Sequence, residues 1–157
     1  MRRPARCAGV REDLPHLPKG TPVARAVTLI RSRSLSDVAE YAYAAAAPPD
    51  ARLIFLAGAC PLADDGTVTP VGDYAGQAAR AVENLRTALH EAGADLRDLI
   101  STRVLVAAGS QADLVAAWEV YRDAVGDHDV PSTLLGVTVL GYSDQLVEIE
   151  AVAAVLD

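Results

Sequence analysis

The segment LVEIEAVAAVL, residues 146–156, places two carboxylates, Glu148 and Glu150, in an otherwise apolar run. A strand alternates its side chains between two faces. Val147, Ile149, Ala151, Ala153 and Val155 then share one wholly apolar face, while Glu148 and Glu150 share the other with Leu146, Val152, Ala154 and Leu156. A carboxylate stripped of water by apolar neighbours is a stronger proton acceptor, suited to drawing a proton from a water molecule. Burying such a charge without a partner costs several kcal/mol, so a hydrogen-bond donor or water is expected beside Glu148. The plainer alternative is a half-exposed carboxylate near a subunit boundary. Glu150, about 7 Å further along the strand, is expected to pair structurally, with Arg103 as the candidate partner. Cys60, in AGACPL, is the other group with intrinsic reactivity. It reads either as a small buried hydrophobe or as a thiol at a pocket rim, and His16, His90 and His128 are all distant in sequence.

These groups must be positioned by a chain of 157 residues, a length that suits one domain with a core of its own. Cys7 and Cys60 form no CxxC pair and no metal-ligand cluster is visible, so neither a metal nor a cofactor is expected. The formal net charge is −7 and aromatic residues make up 4%, which disfavours nucleic acid as a partner. No apolar run approaches the ~18 residues of a membrane span, and the arginine-bearing start has no apolar signal region; a cytoplasmic protein is expected. Residues 1–22, where Arg2, Arg3, Arg6 and Arg11 alternate with Pro4, Pro15, Pro18 and Pro22, read as a flexible extension, and residues 23–157 as the folded domain.

Within that domain, short strands are expected at 24–30 and 41–47, the second stopped by Pro48 and Pro49, and a stronger one at 52–58. Asp73 can cap a helix running to Ala92, with Val82, Leu85 and Leu89 on one face and Gly93 closing it. LISTRVLVA, 99–107, alternates as a strand. Ser110 and Asp113 resemble a capping box for a helix carrying Leu114, Ala117, Trp118 and Tyr121 at core spacing. Strands at 133–140 and 146–156 close the chain. The order β-β-β-α-β-α-β-β is satisfied by one sheet covered on one face by two helices. The helices account for the apolar face of the last strand. Its second face is too apolar for plain solvent surface and is expected to be a subunit interface or a pocket wall.

Three stretches resemble one family in order and spacing. LIFLAGACPLADDGTV is similar to its strand-and-loop pattern LVFxSGQxPxDxxTG. QAARAVENLRTALHEAGADLRDLISTRVLV is similar to its helix-and-strand pattern, and LVEIEAVAA to its closing VEIEAIA. On these residues the chain is identified as a member of the Rid group, the YjgF-like reactive-intermediate deaminases. The resemblance implies an α+β, chorismate-mutase-like protomer, a single mixed sheet with two helices on one face, and a homotrimer with pockets between subunits. It matches Glu148 to the glutamate that positions the attacking water and, with a one-residue shift, Tyr43 to a pocket tyrosine; Gly58 is kept in the loop. The family's substrate-clamping arginine is replaced by Thr133, its pocket serine by Ala57, its NEVY asparagine by Trp118, and Leu135 stands two residues after the arginine position.

Two readings follow. In the first, the chain is a cofactor-independent hydrolase of an imine, enamine or related small molecule, with Glu148 as the base and Tyr43, Gly58, Cys60, Trp118, Thr133 and Leu135 around the ligand. The missing arginine argues against 2-imino acids. In the second, it is a non-catalytic trimer that binds a small molecule or a partner protein on the same scaffold. Trp118, at core spacing on its helix, also reads as a core residue, and Tyr43 as core or interface.

Overall fold

The computed structural model describes residues 25–38 and 40–156, so the expected extension at 1–22 lies outside the described residues. The elements are β1 (Thr28–Ile30), β2 (Ala44–Ala46), β3 (Arg52–Phe55), α1 (Tyr74–Glu91), a 3-10 turn at Leu96–Asp98, β4 (Leu99–Ala107), α2 (Gln111–Val125), β5 (Ser132–Val137) and β6 (Val147–Val155). Four strands form a mixed sheet in the order β3-β6-β4-β5. β6 runs antiparallel to both of its neighbours, and β4 and β5 are parallel, joined through α2.

Local chemistry sets the helix ends as expected. The Asp73 side chain accepts the Gly76 N–H at 2.9 Å and starts α1. Gly93, at φ +79°, takes the left-handed position after it. Ser110 caps α2 through the Asp113 N–H. Helix α1 buries Ala78, Ala81, Val82, Leu85 and Leu89, and α2 buries Ala117, Tyr121 and Val125. Helix α1 packs on the face of β6 formed by Val147, Ile149, Ala151, Ala153 and Val155, all of which are buried, and α2 packs beside it over β4 and β5. That face of β6 is the wholly apolar one read from the alternation.

The ladders differ from expectation in three places. The first two strands pair with each other as a separate two-stranded ladder rather than joining the single sheet. Each is only three residues long. Among their ties to the main body are the Ala42 N–H to the Asp129 carbonyl at 2.8 Å and an Arg31–Asp129 ion pair. The strand expected over 133–140 ends at Val137. The strand expected over 52–58 ends at Phe55, because the chain bulges out of the ladder. Phe55 stands opposite Val152, the Leu56 N–H still reaches the Ala151 carbonyl at 3.2 Å, and the next paired residue is Ala59 opposite Ile149, so four steps on one side oppose three on the other. That one-residue excess is a β-bulge, which kinks a strand and re-aims the residues in it.

Among the described residues, no element covers the other face of the sheet. Phe55 is 76% exposed and Leu53 50%, and Leu135 and Val152 lie on the same side. Arg103 and Glu150 pair across it at 3.3 Å.

Candidate functional site

The bulge and the start of β6 together make the site. Glu148 leaves β6 on the open side of the sheet and its carboxylate folds over Gly58. A Cβ built at Gly58 would lie 2.0 Å from Glu148 Oε1 and 2.7 Å from its carboxyl carbon. Only a glycine admits the carboxylate at that place, and the reason is space, since no positive φ is involved there. The loop that presents Gly58 is held from behind by Asn84 of α1. Its amide donates to the carbonyls of Cys60 at 2.8 Å and Leu62 at 3.0 Å.

Two donors meet the carboxylate. Gln145 Nε2 donates to Oε2 at 3.0 Å, and the Cys60 thiol approaches the same oxygen at 3.5 Å. Both go to Oε2, and Oε1 lies over Gly58. Burial, then the neighbouring charge of Glu148, pushes the Cys60 thiol up to about 11. At neutral pH the sulfur therefore keeps its proton and acts as a donor rather than a nucleophile. Beside the bulge, a cavity of about 230 Å³ opens on the uncovered face, lined by Phe55, Gly58, Arg103, Glu150 and Val152 among others. Glu148 itself is not part of its lining.

The other residues singled out from the sequence gather elsewhere. Trp118 is half-buried in α2, with its ring 6.0 Å from that of Tyr41 and 5.5 Å from that of Tyr121. Trp118, Tyr41 and Thr133 line a second cavity of about 350 Å³ at the free edge of β5, together with Glu40 and Arg122. Tyr43 does not line it. Its hydroxyl donates to the Ser36 carbonyl instead, and Tyr41 takes the place at the cavity. Leu135 stands in the register row Leu135–Leu105–Glu148, whereas Thr133 stands in the row Thr133–Arg103–Glu150. Two strand spacings and a two-residue offset put the Cα atoms of Thr133 and Glu148 about 12 Å apart. Within one protomer the structure thus unites Glu148, Gly58 and Cys60, and separately unites Thr133 and Trp118.

Three residues escaped the sequence reading: Gln145, Asn84 and Tyr41. Gln145 carried a signal, as a polar amide set directly before an apolar strand and three residues ahead of the carboxylate. Asn84 had a weaker one, a polar residue beside Leu85 on a helix that turns the adjoining face to the core. Among the described residues, no group of three or more His, Cys, Asp or Glu side chains could hold a metal ion, and no helix is long and apolar enough to cross a membrane.

Comparison with known proteins agrees with this architecture. The sequence model of the family described as Endoribonuclease L-PSP matches residues 33–155. A RutC family protein of Pyrococcus abyssi is 33% identical over 100 residues, which is 64% of this chain and 76% of that protein. The crystal structure of YyfB from Yersinia pestis, a protein of unknown function in the conserved Rid family, superposes with a TM-score of 0.74 at 24% identity, covering 83% of this chain and 99% of that one. A Mycobacterium tuberculosis member of the YjgF/YER057c/UK114 family is 31% identical, with a TM-score of 0.56 over 82% of this chain and 99% of its own. With the family pattern running from residue 33 to residue 155 and the same fold in these solved relatives, this chain belongs to the Endoribonuclease L-PSP family, the YjgF/Rid group.

Proposed function

We propose that the protein is a homotrimeric, cofactor-independent hydrolase of an imine or enamine, with Glu148 as general base in a pocket between subunits. The observation that carries this reading is the Glu148 carboxylate. It is half-buried, seated in a glycine-lined bulge, with both of its donors on Oε2. Oε1 is then the atom that takes a proton from water. The water oxygen bonds to the imine carbon as the C=N π pair moves to nitrogen, which receives the proton back from Glu148, giving a carbinolamine and restoring the carboxylate. Glu148 then takes the carbinolamine hydroxyl proton and passes it to the nitrogen as the C–N bond breaks with its electron pair leaving on nitrogen. The carbonyl product and ammonia leave, with one water consumed. An iminium carbon is already electrophilic, so the chain need supply only the base and the orientation.

The uncovered sheet face supports assembly. Phe55, Leu53, Val152 and Leu135 form an apolar surface of the kind that pairs with other subunits. Association across it is the means by which the Glu148 region of one protomer would meet the Thr133–Trp118 cavity of another.

Thr133 sets the substrate class. A bidentate arginine–carboxylate contact contributes roughly 1.5–3 kcal/mol, or about ten- to a hundredfold in affinity, and a hydroxyl does not reproduce it. With Trp118 and Tyr41 beside Thr133, and the cavity's Arg122 already paired with Glu40 and Asp123, the ligand is larger and less charged than a 2-imino acid. RNA cleavage, the activity in the family's description, fits poorly with 14 basic against 21 acidic residues, because a polyanion is drawn by clustered cations.

The test is a screen of imines and enamines generated in solution, run on the wild type and on Glu148→Ala with light scattering in parallel. Turnover that collapses in the variant while the trimer persists supports the reading. Ligand binding with no turnover would make the protein a non-catalytic binder. Hydrolysis of 2-imino acids as fast as by arginine-bearing relatives would overturn the substrate class.

A further inference from the structure

We propose that Gln145 is the positioning residue of the Glu148 site, and that it gives the two carboxylate oxygens different tasks. The inference rests on the reading of Glu148 as a base and adds the device that orients it.

Gln145 sits in the turn before β6 and is 4% exposed. Its amide is engaged at both ends. Nε2 donates to Glu148 Oε2 at 3.0 Å and to the Val147 carbonyl at 3.2 Å, which uses both of its hydrogens. Its Oε1 accepts the Tyr142 N–H at 3.0 Å. These partners fix which end of the amide is which. Exchanging oxygen and nitrogen would set an oxygen against two acceptors and an NH₂ against an N–H donor. The Tyr142 N–H therefore decides that a donor, not an acceptor, faces the carboxylate.

The carboxylate needs such a guide. The terminal torsion of a glutamate is broad and roughly two-fold, so the chain's own rotamer preference does not hold the plane of the group. Gln145 holds that plane from Oε2, with the Cys60 thiol as a second contact whose single proton is shared with the Gly58 carbonyl at 3.6 Å, while Gly58 leaves room for Oε1. One oxygen is thereby saturated by internal donors and the other is kept for the proton of water. Glu150, two residues on, has no comparable seat. Its partner is Arg103, at 3.3 Å on an exposed part of the sheet.

The experiment is Gln145→Met, which keeps the side-chain length and removes both N–H donors, examined by steady-state kinetics and by crystallography. The expected result is a fall in kcat of about ten- to a hundredfold, the scale of one hydrogen bond to a charged group, with KM within about twofold of the wild type. In the crystal, the carboxylate should leave its place over Gly58 or rotate so that Oε2 no longer faces position 145. A Glu148 that stays in the wild-type orientation in the variant, or a kcat within about twofold of the wild type, overturns the proposal. Should the methionine variant not fold, Gln145→Glu, which keeps the acceptor for the Tyr142 N–H, is read by the same two measurements. The crystallographic result does not depend on turnover. If the wild type hydrolyses nothing, the functional reading fails, and the positioning role still stands or falls on where the carboxylate lies.

Discussion

Gly58→Ala is the substitution for which the structure makes the sharpest forecast. The added Cβ would lie 2.0 Å from Glu148 Oε1, where real contacts of this kind stay above 3.0 Å. The carboxylate must therefore shift by at least about 1 Å in a region already packed closely. A shift of that size breaks the 3.0 Å bond from Gln145 and leaves a buried amide donor short of a partner. A hydrogen bond to a charged group contributes roughly 1.5–3 kcal/mol, so a loss of about 2 kcal/mol is expected, or roughly 4–8 °C in Tm for a domain of this size. The assay is urea and thermal unfolding of the wild type, Gly58→Ala, Glu148→Ala and the double variant at one fixed protomer concentration, since oligomer stability depends on it. Without the glutamate side chain the three atoms nearest the new methyl group are gone, so in the Glu148→Ala background the alanine should cost less than about 0.5 kcal/mol, a coupling of about 1.5 kcal/mol or more. If Gly58→Ala costs the same with and without the glutamate, or melts with the wild type, the seating of the carboxylate on this glycine is refuted.

Three further outcomes follow from the same geometry. The folded state holds the Cys60 proton up to about pH 11 against an ordinary thiol value of 9.0. The stability this contributes is present below pH 9 and lost as pH rises through about 11, so urea unfolding should weaken more steeply over that window in the wild type than in Cys60→Ala. Asn84→Ala removes both donors that hold the loop carbonyls of Cys60 and Leu62 and should cost about 1–3 kcal/mol in urea unfolding, the sum of two lost hydrogen bonds, since the Leu62 N–H still serves the Cys60 carbonyl and Arg80 Nε the Leu62 carbonyl. Phe55→Lys places a charge on the uncovered sheet face. Light scattering should show the proposed trimer falling to smaller species while circular dichroism keeps its helical signal.

The sequence was a sufficient guide wherever the determining interactions are local or periodic. The caps at Asp73 and Ser110 act over three residues, β4 declares itself by alternation, and the buried face of β6 follows from its period of two. The pairing of Arg103 with Glu150 was expected from opposite charges on two predicted strands, and the register places them side by side. Tertiary structure alone decided the rest. The bulge between Phe55 and Ala59 is a property of register between two strands almost a hundred residues apart, and no local pattern encodes an extra residue. That bulge sets Gly58 under Glu148 and brings Cys60 to the same oxygen. Gln145 shows in the sequence only as a polar amide before an apolar strand, and its hydrogen bonds become determinate only when burial removes water as a competitor and leaves the amide a single arrangement that satisfies both ends. Which residues are apolar, and with what period, is written along the chain; which of two carboxylates is seated, and which of its oxygens is left for chemistry, depends on groups that only folding brings within 3–4 Å of each other.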